Sequence, residues 1–149
     1  MKMSWNRLLS LVLWFIALFH LVIGFGLMFF IGFQKFMVNL YGAKLAWDVK
    51  DIYFIRIIGS FAFVLGVLAA SAAKNPLRYT PIIFAFIEFF ILRDINRHLY
   101  SGELYAGFSV TPQTNIFTSV FFGIQALALV FLWWLARKET NNGIGGKTC

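Results

Sequence analysis

Few side chains in this sequence are equipped for chemistry, and most of them lie inside strongly apolar stretches. His20, Glu88 and Gln125 fall near the middle of three such stretches. With a helical rise of roughly 1.5 Å per residue they reach similar depths, and they are expected to meet as an intramembrane polar cluster. An ionisable group at that depth is costly and therefore marks a functional site by default. Glu88 could carry a proton or bind a ligand. It could equally be a protonated carboxyl hydrogen-bonded to a neighbouring helix, because burial disfavours the charged form. His20 could be an axial ligand to a haem or chlorin, or it could hold two helices together. A haem held by two spanning helices needs a second deep histidine, and His98 lies too close to the outer surface to serve.

A second group is more superficial. Arg56 and Asp94 fall at matching depths near the outer side and are expected to form an ion pair that fixes helix register. Asp94 and His98 share a helical face at i and i+4, but two ligands are too few for a metal site. Arg93 and Arg97 beside them disfavour a cation, so no metal is expected. The run Arg93-Asp94-Ile95-Asn96-Arg97-His98 is instead a polar helix end, and Arg93, Arg97 and His98 could dock an acidic partner. No nucleophile–base pair, phosphate loop or zinc spacing appears anywhere, so no catalytic residue is assigned and the chain is not expected to be an enzyme.

The elements that must position these groups follow from composition. The chain has 149 residues, 60% hydrophobic, 19% aromatic and 13% charged. An ordinary soluble domain is about 45–50% apolar and about 25% charged. A water-soluble fold of this size cannot hide so much apolar surface, which excludes a soluble enzyme, a disordered chain and a disulfide scaffold. Cys149 is the sole cysteine, so no internal disulfide forms. The net charge of +7 comes without a basic run, so nucleic acid is not an expected partner.

A spanning helix needs about 20 predominantly apolar residues, and four segments qualify: about 8–33, 52–73, 79–99 and 114–136. The expected fold is all-α: a polytopic membrane protein with four transmembrane helices in an up-down-up-down bundle over 1–137, then a flexible tail over 138–149. The first apolar run is too long for a signal peptide core of about 7–15 residues. Pro76 ends the second span, and Pro81 stands in the first turn of the third, where a missing N–H costs nothing. Gln113 or Thr114 is the expected cap of the fourth. Lys2, Arg7, Lys74, Arg78, Arg137, Lys138 and Lys147 face one side with Glu139, and the opposite loops mix five bases with four acids. Both termini are therefore expected in the cytoplasm, with the bacterial inner membrane as the expected location. Gly59, Gly66, Ala69 and Ala73 space the second span for close helix approach, which makes it the candidate central helix. Phe84, Phe86, Phe89 and Phe90 line the third and suit lipid, pigment or another subunit.

Two stretches carry a resemblance. Phe25 to Lys35, reading FGLMFFIGFQK, is similar to the first-helix exit of DoxX-like membrane proteins. Arg56-Ile57-Ile58-Gly59, followed by Gly66, Ala73 and Pro76, resembles the second span of BphX-like four-helix proteins. The short second loop fits both. The resemblance implies a four-helix membrane fold and assigns no functional residue.

Three functions are compatible with this pattern. The first is a non-catalytic subunit packed among other integral membrane subunits, respiratory or photosynthetic in kind. The second is a small transporter or carrier of protons or hydrophobic ligands using Glu88 and Arg56. The third is a haem- or chlorin-associated redox protein using His20. No cofactor is required by any motif. Lipid is the expected small-molecule neighbour, and a tetrapyrrole at His20 is the alternative.

Overall fold

The structure is a computed structural model that describes residues 4–145. Lys2, Lys147 and Cys149 lie outside the described residues. Among those described, the chain is all-helical: α1 (Trp5–Phe29), α2 (Ile31–Leu40), α3 (Val49–Lys74), α4 (Thr80–Leu99), α5 (Ser101–Phe108) and α6 (Pro112–Gly145). Among the described residues, three helical stretches are long and apolar enough to cross a membrane, Trp5–Phe29, Val49–Lys74 and Pro112–Asn141. The third expected span exists as the helix α4, but Glu88, Arg93, Asp94 and Arg97 interrupt its 20 residues. By length and composition three helices among the described residues qualify as spans, where four were expected.

Local chemistry explains most boundaries. Ser4 caps α1 by accepting from the Arg7 N–H. Asp48 caps α3 through the Asp51 N–H at 2.8 Å. Pro81 occupies the first turn of α4, as expected from its fixed φ. The cap of α6 lies earlier than expected. Thr111 Oγ1 accepts from the Thr114 N–H at 3.3 Å, and Pro112 follows as the first helical residue. α6 also continues past Ala136 through Arg137 and Lys138 to Gly145.

The first apolar run is not one helix. At Phe30 the backbone becomes extended, φ −118° and ψ 106°, and α2 starts at Ile31. The break strands the Leu27 carbonyl, and the buried Gln34 amide answers it: Nε2 donates to that oxygen at 2.7 Å. The expected outer connections are likewise largely helical, as α2 and α5.

Helices α1, α3, α4 and α6 alternate in direction. Ser10 reaches the Ala73 carbonyl at 2.6 Å. Phe84 meets Trp133 edge-on, and Phe90 packs at a tilt against Phe122. The Trp5 N–H donates to Glu139 at 2.9 Å, so the start of α1 and the latter part of α6 share one end. At the other end α2 and α5 form a cap, joined by the Lys44 N–H to the Phe108 carbonyl at 2.8 Å.

The tightest seam joins α1 to α3. A Cβ on Gly24 would collide with the backbone of Phe63 and stand 2.8 Å from the Gly59 carbonyl, and one on Gly66 would lie 2.8 Å from the Leu21 nitrogen. Small residues thus let two backbones touch, as they do between helices in lipid. The central helix is nevertheless α1, because it packs against α3, α6 and α2, whereas α3 packs mainly on α1 and barely meets α4. One apolar cluster, including Leu13, Ile16, Ala69 and Phe90, fills the bundle. A smaller one of Leu27, Met37 and Ile55 lies beneath the cap.

Candidate functional site

The loose fit between α3 and α4 leaves a cavity of about 620 Å³ below the cap. Its walls are apolar. Phe54, Ile58, Ala62 and Leu65 come from α3, His20 and Ile23 from α1, and Phe89 from α4, with Met37, Leu45 and Phe108 in the cap. The volume falls within the range of small-molecule pockets, about 300–1,000 Å³. Phe54, Ile58 and Phe61 are also exposed on the outer surface of α3, so the cavity has a side opening towards whatever surrounds the bundle. A second groove of about 510 Å³ lies across α1 between Phe15, Val22, Phe117 and Phe121. It shares Phe19, Ile23, Met37, Tyr41 and Phe122 with the first cavity but is lined by no charged residue.

Charge enters the larger cavity from the cap end of α4. Arg93 and Arg97 both line it, together with Tyr41 and Asp51. Arg93 Nη2 donates to the Tyr41 hydroxyl at 3.0 Å, and its guanidinium lies 3.7 Å above the centre of the Phe122 ring. A cation over an aromatic face is stabilised by the ring quadrupole, more so when desolvated. Arg97 Nε donates to Asn115 Oδ1 at 2.8 Å. The Asn115 amide then donates to the Tyr105 hydroxyl at 3.2 Å. Asn115 is 1% exposed, so this chain is interior and ties α4 and α6 to α5. Arg97 Nη2 is also buried, yet no acceptor meets it. Asp51 is already engaged, because its Oδ2 accepts the Trp47 N–H at 3.0 Å. That bond holds Trp47 at φ 61°, a left-handed conformation rare for a bulky residue.

The structure rearranges the residues that sequence placed together. His20 is buried, and its Nδ1–H donates to the Ile16 carbonyl at 2.8 Å within its own helix. Its ring is set among Phe19, Phe86 and Phe90. Gln125 is buried, but both of its amide atoms lack a partner. Glu88 is exposed on the outer face of α4. The expected cluster of His20, Glu88 and Gln125 is therefore not formed, because α4 turns Phe86 and Phe90 inward in place of Glu88. The expected Arg56–Asp94 pair is also not made. Arg56 is exposed on α3, while Asp94 turns towards Gly123 of α6 and leaves Oδ1 unpartnered.

Arg93, Arg97 and His98, expected as a polar helix end that could dock an acidic partner, do not share one surface: both arginines line the cavity and only His98 is exposed. Among the described residues no group of three or more His, Cys, Asp or Glu side chains is placed to hold a metal. Tyr41, Tyr105 and Asn115 were not singled out from sequence. The signal for them was indirect: Arg93 and Arg97 stand at i and i+4 and so require partners on one face. Comparison of the chain with protein-family models, curated proteins and solved structures gave no match.

Proposed function

We propose that this protein is a small integral membrane protein that holds an apolar ligand taken from the surrounding lipid. The observation that supports this is the cavity between α3 and α4, apolar along most of its wall and open towards the outer face of α3. A pocket with few convergent polar groups in an apolar lining is the usual form of a small-molecule site. The carrier function anticipated through Glu88 and Arg56 is thereby assigned to Arg93 and Arg97, since the first two are exposed away from the cavity. In this reading α4 is the fourth membrane crossing and its charged end lies at the interface. Both termini are cytoplasmic, as the excess of Lys and Arg at the terminal end requires. The resemblance to DoxX-like and BphX-like four-helix proteins belongs to this proposal at the level of fold.

The test is native mass spectrometry of the full chain after gentle extraction. One small-molecule adduct per chain is expected, and Ala62→Trp, which places an indole in the cavity, should abolish it. A chain that carries no adduct at any detergent concentration overturns the proposal.

A second reading, packing against another membrane subunit, is favoured by Glu88. It shares the outer face of α4 with Phe84, Ile91, Leu92 and Ile95, all exposed. A carboxylate in lipid is costly, and a partner offering a donor would remove that cost. Cross-linking from position 88 in native membranes tests it: a discrete heterologous adduct supports it, and lipid adducts alone refute it.

A further inference from the structure

One end of the cavity is lined by two arginines, Arg93 and Arg97, against one carboxylate, Asp51. We infer that its ligand is a single-chain amphiphile with an anionic head, a carboxylate or phosphate, bound by Arg97 and Arg93 with its tail along α3. This rests on the cavity being a ligand site, as proposed above.

Buried hydrogen-bonding groups are almost always paired, and each exception calls for an explanation. The Arg97 guanidinium makes one bond through Nε and leaves Nη2 buried without an acceptor. An unpaired donor on a charged group is among the most costly a fold can keep. Asp94 does not relieve it: its Oδ1 is itself unpartnered and its Oδ2 faces Gly123. Asp51 does not relieve it either: its Oδ2 accepts the Trp47 N–H at 3.0 Å, and no oxygen of its carboxylate meets Arg97 Nη2.

Arg93 is fixed beside Arg97 by Tyr41 and by the Phe122 ring. Two guanidinium groups one helical turn apart repel each other, and an anion between them removes that repulsion. Guanidinium also matches the geometry of carboxylate and phosphate oxygens. The remaining polar lining at this end is Tyr41 and Asp51, with His20 further along.

The tail follows from the walls. From Asp51 to Leu65, α3 advances about 20 Å at roughly 1.5 Å per residue. Along that length it offers Phe54, Ile58, Phe61 and Ala62 to the cavity. An apolar wall of that length with charge at one end fits one extended alkyl chain with a terminal anion. A compact planar cofactor would leave one end of it unused.

The experiment uses the full chain in phosphatidylcholine nanodiscs and three photoreactive probes of equal chain length. These are hexadecanoic acid, hexadecyl phosphate and hexadecanol, each with a diazirine near the tail end. Saturable labelling is read by peptide mass spectrometry. The acid or the phosphate, or both, should label α3 or α1 within the cavity, and the stronger of the two identifies the head. The alcohol should label at least about tenfold more weakly, the factor lost with one charge-assisted contact. Arg97→Gln should reduce labelling by the anionic probe about tenfold, and Arg97→Lys should restore part of it.

Equal labelling of the wild-type chain by all three probes overturns the anionic head while leaving the cavity as a ligand site. This arm needs no variant, so misfolding of Arg97→Gln cannot mask it. Labelling confined to outer lipid-facing residues overturns both proposals.

Discussion

Asn115→Ala is the sharpest test of how the cap is held over the cavity. Asn115 is 1% exposed and makes two side-chain bonds, accepting from Arg97 Nε at 2.8 Å and donating to the Tyr105 hydroxyl at 3.2 Å. The two are not equal. A bond to a charged group contributes about 1.5–3 kcal/mol, whereas a neutral side-chain bond between membrane helices averages about 0.6 kcal/mol. Truncation also leaves Arg97 without its one remaining acceptor, with Nη2 already unpaired. The expected loss is about 2–3 kcal/mol, set mainly by the arginine. Tyr105→Phe removes only the neutral bond and should cost about 0.6 kcal/mol. Asn115→Asp keeps an acceptor for Arg97 and can accept from Tyr105, so it should remain close to wild type. Reversible unfolding of the three variants in mixed micelles, followed by helical circular dichroism, gives the ranking. A loss for Asn115→Ala no larger than that for Tyr105→Phe would refute the assignment of Arg97 as the dominant partner.

Other perturbations probe the scaffold. Gly59→Leu places a side chain where a Cβ already meets Leu27 at 2.9 Å. It should cost at least the ~1–3 kcal/mol typical of overpacking, whereas Gly102→Ala, with nothing within 4 Å, should be neutral; thermal denaturation in detergent compares them. Gln34→Leu leaves the Leu27 carbonyl unanswered at the Phe30 break and should cost about 1–3 kcal/mol, with faster hydrogen exchange around Ile31 as its local signature. Thr140→Cys in a Cys149→Ser background tests whether α4 crosses the membrane. If it does, an impermeant maleimide labels position 140 only after permeabilisation; labelling in intact cells would leave three crossings.

The helices themselves were legible because apolar runs of spanning length admit few alternatives, and Pro81 fixed the start of α4 by a local rule. The break at Phe30 was not legible. No proline or charge marks it, and it persists because Gln34, in the next helix, answers the freed Leu27 carbonyl. The start of α6 was legible and was placed too late: Thr111-Pro112 is a cap followed by a proline at the first helical position. α5 carries no legible signal, since its eight residues bury no side chain and show no apolar periodicity.

On a helical wheel, the two possible orientations of α4 exclude each other. At about 100° per residue, Phe86, Phe90, Arg93 and Arg97 of α4 fall within roughly 60° of one another, and Glu88 lies about 200° from Phe86. Placing Glu88 inside would have sent both arginines outside with it reversed, which is the arrangement the sequence suggested. Ranking mid-depth charge above aromatic packing turns Glu88 inward. The structure has the opposite order: Phe86 and Phe90 fill the core against His20 and Phe122, and that choice rotates the arginines into the cavity. Packing of two large rings thus sets the electrostatics of the site. It follows that Phe90→Ala should disturb the site as well as the core. Burying a Phe side chain contributes several kcal/mol, with about 3–5 kcal/mol lost on truncation, and the loss here falls one turn from Arg93. Phe90→Leu keeps the inward face apolar and should retain anionic-probe labelling at reduced stability. Phe90→Ala should lose both together, and full labelling by a strongly destabilised Phe90→Ala protein would show that the arginines hold their places without the rings.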